Sequence, residues 1–172
     1  EWLIKRGYQY EVTDELHRWL SVYRDQSDRI SRTFSDTLGI SRPVRNRAIA
    51  PTGSIGILAG SSTGIEPIFA VAFKRRYLKG GKRWMYQYVI DSTSQELIDQ
   101  YGIKPDSIET ALSLSKDYER RIKFQADIQR YVDMSISSTI NLPPWGSKEN
   151  NEDTVKPFAE TLAKYAHQLR GF

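Results

Sequence analysis

The stretch AIAPTGSIGILAGSSTGIEPIFA, residues 48–70, decides how this chain is read. Ala48, Ile49 and Ala50 follow the charged Arg45-Asn46-Arg47 and have the character of a buried strand's end. Pro51 stops a ladder there, because it has no N–H to donate. Thr52, Gly53 and Ser54 supply two hydroxyls around a flexible joint, and a helix is expected to begin near Ile55. The free N–H groups of a helix start carry partial positive charge, and glycine lets an anion approach the backbone. A strand, a small-residue turn and a helix start therefore suit a phosphate. The same residues also suit a plain helix N-cap, which Ser and Thr commonly provide. The stretch is neither a P-loop, since no Gly-Lys-Ser or Gly-Lys-Thr follows, nor a GxGxxG turn.

The flanking pattern is α/β. Val12, Leu16, Trp19, Leu20 and Tyr23 form a helical stripe, with Thr13 placed to cap it and Asp14 and Glu15 in its first turn. The polar run that follows is expected to remain helical until Gly39 and Pro43. Residues 45–50 read as a barrel strand. Residues 73–78 and 83–90 read as two strands around the Lys79-Gly80-Gly81-Lys82 turn, a β-hairpin arm. Short helices are expected over 93–101 and 107–114, and a long one over 118–132. A strand is expected over 138–142, closed by Pro143-Pro144, and a last helix carries Val155, Phe158, Ala159, Leu162, Ala163 and Ala166.

Two blocks resemble one family. IAPTGSIG (49–56) with STGIEP (62–67) is similar to the substrate-phosphate loop of the large catalytic subunit of ribonucleotide reductases. RIKFQADIQRYVD (121–133) followed by ISSTINLP (136–143) resembles a later helix and strand of the same catalytic barrel. The spelling STINLP, and SDTLGISRP at 35–43, are most similar to the adenosylcobalamin-dependent (class II) branch. The resemblance covers most of the chain, from about Thr33 onward.

It implies a ten-stranded α/β barrel made of two five-stranded halves. The chain, 1–172, is expected to be a single segment, the C-terminal part of that barrel, with the hairpin arm attached and the barrel left incomplete. It implies radical conversion of ribonucleoside diphosphates to 2′-deoxyribonucleotides, a step in deoxyribonucleotide biosynthesis for DNA replication. Here Pro51, Thr52, Gly53, Ser54 and Ile55 would line the substrate's phosphates, and adenosylcobalamin would serve the whole enzyme rather than this segment alone. The remainder of the reductase, or a complementing subunit, would be the partner, with a homodimer as a further expectation. A non-catalytic phosphate-binding module and one piece of a split reductase are the alternatives.

The family uses a cysteine thiyl radical and a redox cysteine pair, and this chain has no cysteine among its 172 residues. No catalytic residue is therefore assigned, and the chain alone is expected to be inactive. The lack of cysteine also excludes disulfides and thiolate metal sites. His17 and His167 lie far apart on helices without carboxylates at ligand spacing, so no metal site is expected.

Other residues admit two readings. Asn141, at the end of the expected strand, either contacts substrate or braces a loop. Glu66 reads as a local hydrogen-bonding acid rather than a general base, and Asp133 as a brace for the turn after the long helix. The Lys74-Arg75-Arg76 cluster reads first as a solvated face, and the Trp84, Tyr86, Tyr88 row as a packed sheet face.

The net charge of +4 is modest and the basic residues are spread, apart from Lys74-Arg75-Arg76 and Arg120-Arg121, so a nucleic-acid partner is not indicated and none is expected. No apolar run is long enough to span a membrane. The N-terminal residues do not read as a signal peptide, so a cytoplasmic location is expected.

Overall fold

The computed structural model describes residues 1–171, apart from the side chain of Ile57. Six helices and one hairpin follow in the order α1 (Trp2–Lys5), α2 (Asp14–Leu38), α3 (Gly53–Ala59), β1 (Ala72–Lys79), β2 (Arg83–Ile90), α4 (Ser92–Tyr101), α5 (Tyr118–Gln129) and α6 (Glu152–Ala166). Two short 3-10 turns, Pro105–Ser107 and Ser113–Lys116, lie between α4 and α5.

Local chemistry sets the helix ends. The Leu16 N–H donates to Thr13 Oγ1 at 3.2 Å, so Thr13 is the cap of α2, with Asp14 and Glu15 at the positive end. The polar run stays helical to Leu38, where Gly39 takes the left-handed conformation (φ 63°). Asp91 and Asp117 cap α4 and α5, and Asn151 with Thr154 forms a capping box on α6.

Helix α5 organises the core because it is buried on two sides. Phe124 and Ile128 pack with Tyr10, Leu114, Val132 and Ile136, with Leu16 and Leu20 of α2 against that cluster. Ile122 and Ala126 pack instead with Tyr165 of α6, flanked by Phe158 and Leu162. A smaller cluster joins Ile68, Leu97 and Ile108.

The expected barrel strands are not formed as such. Residues 45–50 and 138–142 are not strands; one parallel bridge, Ile49 with Ile136, joins the two segments. It is flanked by hydrogen bonds from the Met134 N–H to Arg47 O, the Ile49 N–H to Ser135 O and the Ser137 N–H to Ile49 O. Pairing thus falls before residue 138, not within 138–142. Parallel strands are stable chiefly inside sheets covered on both faces, and here each of these two has a single neighbour. Among the described residues the sheet is the antiparallel pair β1–β2, in register from Ala72 opposite Ile90 to Lys79 opposite Arg83. The α/β character and the arm stand, and among the described residues there is no closed barrel.

The bridge is held at its start by Arg47, only 3% exposed. Its guanidinium donates to Tyr131 O (2.8 Å), Ser27 Oγ (2.6 Å), Asp28 Oδ1 (2.6 Å) and Asp133 Oδ1 (2.8 Å). Asp133 also accepts the Asn46 N–H at 3.0 Å, which is the bracing role expected of it. One cation therefore ties α2, the end of α5 and the first segment of the bridge. Arg47→Leu is expected to destabilise the protein by about 3–5 kcal/mol, the cost of breaking a buried pair. Arg47→Lys keeps the charge but not the planar fork, and should cost about 2 kcal/mol. Urea titration of both variants checks this, and equal stability of Arg47→Leu and the parent would contradict it. Hydrogen bonds from Arg47, then Asn46, hold the Asp28 carboxyl below its ordinary value of 3.8. A depressed folded pKa stabilises above the unfolded value and is lost as pH falls through the folded one. Stability should therefore drop on acidification below about pH 4, with a smaller drop in Asp28→Asn when melts are compared across that range.

Candidate phosphate loop

The loop leaves the bridge at Ile49 and turns through Pro51 and Thr52 into α3. That helix starts at Gly53, two residues earlier than the sequence suggested. Pro51, Thr52, Gly53, Ser54 and Ile55 are all exposed. The N–H groups of Gly53, Ser54 and Ile55 belong to the first turn, where an α-helix offers them no acceptor. The Gly56 N–H is the first to be used, donating to Thr52 O at 2.7 Å. Thr52 has φ 48°, an uncommon conformation for a β-branched residue. Its Oγ1 accepts the Gly64 N–H at 3.1 Å, so the strained residue is tied to the returning segment.

That returning segment lies against the bridge. Gly64 has φ 50°, and a Cβ there would meet Ala50 O and Ile49 Cγ2, each at 3.4 Å. Two residues on, Glu66 accepts the Thr139 N–H at 2.6 Å and an Arg121 N–H at 2.7 Å. Glu66 is therefore a loop brace, as its isolation in the sequence suggested. Arg121, 3% exposed, also donates to Ser138 Oγ (3.1 Å) and Thr139 O (2.6 Å) and to the Tyr10 hydroxyl. Burial pushes the Tyr10 hydroxyl's pKa far up, against the opposing Arg121 charge, so it stays protonated and donates to Ile65 O.

Several positioning residues were not singled out from the sequence. Arg121, Gln125 and Gln129 recur every four residues on α5 and are all buried. Gln129 Nε2 donates to Val132 O (2.7 Å) and Met134 O (2.8 Å), Gln125 Nε2 to Ile136 O (3.4 Å) and Gly171 O (2.7 Å), and Arg121 to Thr139 O. One helix face thus supplies a row of donors along residues 132–139, where a neighbouring strand would otherwise do so. The available signal was three polar residues at spacing four within an otherwise buried helix.

Asn141, half-buried, lies two residues past this clamp. Its side chain makes no hydrogen bond among the described residues and is not joined to the loop. His17 Nδ1 is hydrogen-bonded to the Tyr131 hydroxyl at 2.5 Å, and His167 is exposed past the end of α6. No group of three or more His, Cys, Asp or Glu among the described residues is placed to hold a metal ion. No helix among them is long and apolar enough to cross a membrane.

A cleft of about 650 Å³ lies behind the loop, lined by residues that include Tyr10, Leu16, Ile49, Gly64, Ile65 and Phe124. It is mainly apolar and touches neither residues 51–55 nor Asn141. Residues 51–55 themselves are exposed to solvent.

Gly56 is buried under the loop, and a Cβ there would lie 2.6 Å from Thr63 Cγ2 and 3.3 Å from Ser61 O. Gly56→Ala is therefore expected to push α3 from residues 61–63 and cost about 1–3 kcal/mol. Amide exchange over 53–64 should quicken in that variant, while exchange in α6 stays unchanged. Unaltered protection of the loop would show that the contact is not limiting. Glu66→Gln keeps an acceptor for Thr139 but removes the charge facing Arg121, and is expected to cost about 1–3 kcal/mol, with faster exchange at the Thr139 amide.

The family model described as "Ribonucleotide reductase, barrel domain" matches residues 41–170. The chain is 26% identical over 204 aligned residues to a vitamin B12-dependent ribonucleoside-diphosphate reductase of Thermoplasma acidophilum, covering 96% of this chain and 25% of that protein. It is 31% identical over 126 residues to the identically named protein of Mycobacterium tuberculosis, covering 60% of this chain and 18% of the relative. A protein of Mycobacterium phage D29 named for adenosylcobalamin-dependent ribonucleoside-triphosphate reduction is 28% identical over 177 residues, covering 83% and 25%. The chain therefore spans a quarter or less of the length of these relatives.

Proposed function

The chain belongs to the ribonucleotide reductase barrel-domain family, and from that premise we propose that it forms part of an adenosylcobalamin-dependent ribonucleotide reductase in which Pro51–Ile55 hold the substrate's phosphates. The carrying observation is the loop itself. Three first-turn N–H groups (Gly53, Ser54, Ile55) lie on an exposed turn, beside the Thr52 and Ser54 hydroxyls. Backbone N–H groups at a helix start and nearby hydroxyls are general donors to phosphate oxygens. Thr52 Oγ1 still has donor capacity, since in the bond to Gly64 it only accepts. Asn141 is offered as a second substrate contact, because its amide is not otherwise engaged and it lies two residues past the clamped segment.

The segment's role is binding and orientation. Its lack of cysteine means that hydrogen abstraction and ribose reduction fall to other parts of the enzyme. Adenosylcobalamin, for which the relatives are named, would supply the radical when bound. The donor set here does not fit a corrin site: His17 is engaged by Tyr131, and His167 lies exposed past the end of α6. The remaining portion of the reductase is the expected partner, and the cytoplasm the expected location. A diphosphate substrate is favoured by the names of the Thermoplasma and Mycobacterium relatives, and a triphosphate by that of the phage relative.

The test is nucleotide binding by the natural polypeptide that carries this chain. Ser54→Ala is expected to weaken ribonucleoside diphosphate binding about tenfold, the loss of one hydrogen bond to a charged group. Gly53→Val is a cleaner probe of the backbone, since a Cβ at Gly53 meets nothing within 4 Å. It should leave the melting temperature unchanged and lower affinity far more than Ser54→Ala. Titrations with di- and triphosphates of one base assign the substrate. Parent-like affinity in both variants would remove the phosphate role.

A further inference from the structure

We propose that the β1–β2 arm is a binding surface for single-stranded nucleic acid. Between Ala72 and Ile90 the arm carries Lys74, Arg75, Arg76, Lys79, Lys82 and Arg83 and no acidic residue. The whole chain has a net charge of only +4, so everything outside the arm is slightly negative. In sequence the six cations read as two short groups; the hairpin brings them onto one projection. None of the six forms an ion pair among the described residues, whereas Arg47, Arg120, Arg121 and Lys164 in the body are all paired. The register puts Lys74 and Arg76 on one face, Arg75, Lys79 and Arg83 on the other, and Lys82 lies in the turn, so both faces of the arm are positive. An unneutralised arm of this charge attracts a polyanion.

The aromatic residues favour nucleic acid over an acidic peptide. The register places Lys74 opposite Tyr88, Arg76 opposite Tyr86 and Leu78 opposite Trp84, so these six share one face. That face is not packed, contrary to the sequence expectation: Trp84 is 53% exposed, Tyr86 58% and Tyr88 81%. Alternate residues on a strand are about 6.8 Å apart, a spacing that successive unstacked bases can follow. Lys74 Nζ lies 4.7 Å from the Tyr86 ring centre and 5.7 Å from that of Tyr88, and Arg76 Cζ lies 4.2 Å from that of Trp84. The cations lie over the rings, and each ring is still more than half exposed. Rings in a row beside cations form the stacking platform and electrostatic groove by which proteins hold single strands without reading sequence. A peptide of carboxylates would use the charges and leave three large rings in water.

The experiment is fluorescence anisotropy of labelled oligothymidylate and oligouridylate, about 20 nucleotides long, with the natural polypeptide that carries this chain. Binding is expected at low salt and should weaken steeply as salt rises. The W84A/Y86A double variant should lower affinity at least about tenfold. The K74Q/R76Q double variant should reduce the slope of log affinity against log salt by about 1.4, the loss of two phosphate contacts. The substitutions lie on an exposed face, so unchanged melting confirms folding. Ribonucleoside diphosphate affinity should be unchanged in all of them, which separates this surface from the phosphate loop. The proposal is overturned by absence of binding at low salt, by unaltered affinity in W84A/Y86A, by equally tight binding of the matching duplex, or by a polyglutamate of equal length that competes as well as the oligonucleotide.

Discussion

Two buried arginines set the shape of this segment, one at each end of a single parallel bridge. Arg47 gathers Asp28, Asp133 and the Tyr131 carbonyl before the bridge, and Arg121 gathers Glu66, the Tyr10 hydroxyl and the Thr139 carbonyl after it. A buried guanidinium is costly unless its donors are met. Each arginine therefore accepts only the arrangement that brings its partners from several elements at once. Asp28 comes from α2, Asp133 from the turn after α5, and Glu66 from the segment that follows α3. The bridge contributes few backbone hydrogen bonds, so its geometry is fixed by these side chains more than by a ladder.

The parts legible in the sequence are those governed by local rules. The stripe Val12–Leu16–Leu20 and the cap Thr13 give α2 its start; the Gly80-Gly81 turn between two β-rich runs gives the hairpin. The strands at 45–50 and 138–142 were less well placed. A parallel strand is defined by its neighbours, and local propensity says little about where pairing begins. The donor row on α5 then anchors residues 132–139, which places the bridge at Ile136 rather than further along.

The candidate site divides in the same way. The turn itself, with its small residues after Pro51, was visible in one dimension. What holds it was not, because Thr52 to Gly64, Gly56 to Thr63 and Glu66 to Thr139 are contacts between residues set by the return of the chain. The charge of the arm was obscured for a related reason. Lys79 and Arg83 stand opposite each other at the turn end of the hairpin, on the strand that carries Lys74–Arg76 and on its neighbour, so the whole arm is cationic along its length.

A loop proposed to receive an anion needs restraints that do not use up its free N–H groups. Thr52 uses its side-chain oxygen to accept from Gly64, Gly56 packs inward against Thr63, and Glu66 is engaged by Arg121 and Thr139. These contacts leave the first-turn N–H groups of Gly53, Ser54 and Ile55 on the open face. The one carboxylate between residues 48 and 71 is neutralised by Arg121, so it does not repel an incoming phosphate. Positive φ at Thr52 is the local cost of turning the backbone within that frame, and the frame is rigid enough to hold it. Side chains thus fix the loop, and the exposed first-turn N–H groups are not among the groups that they use.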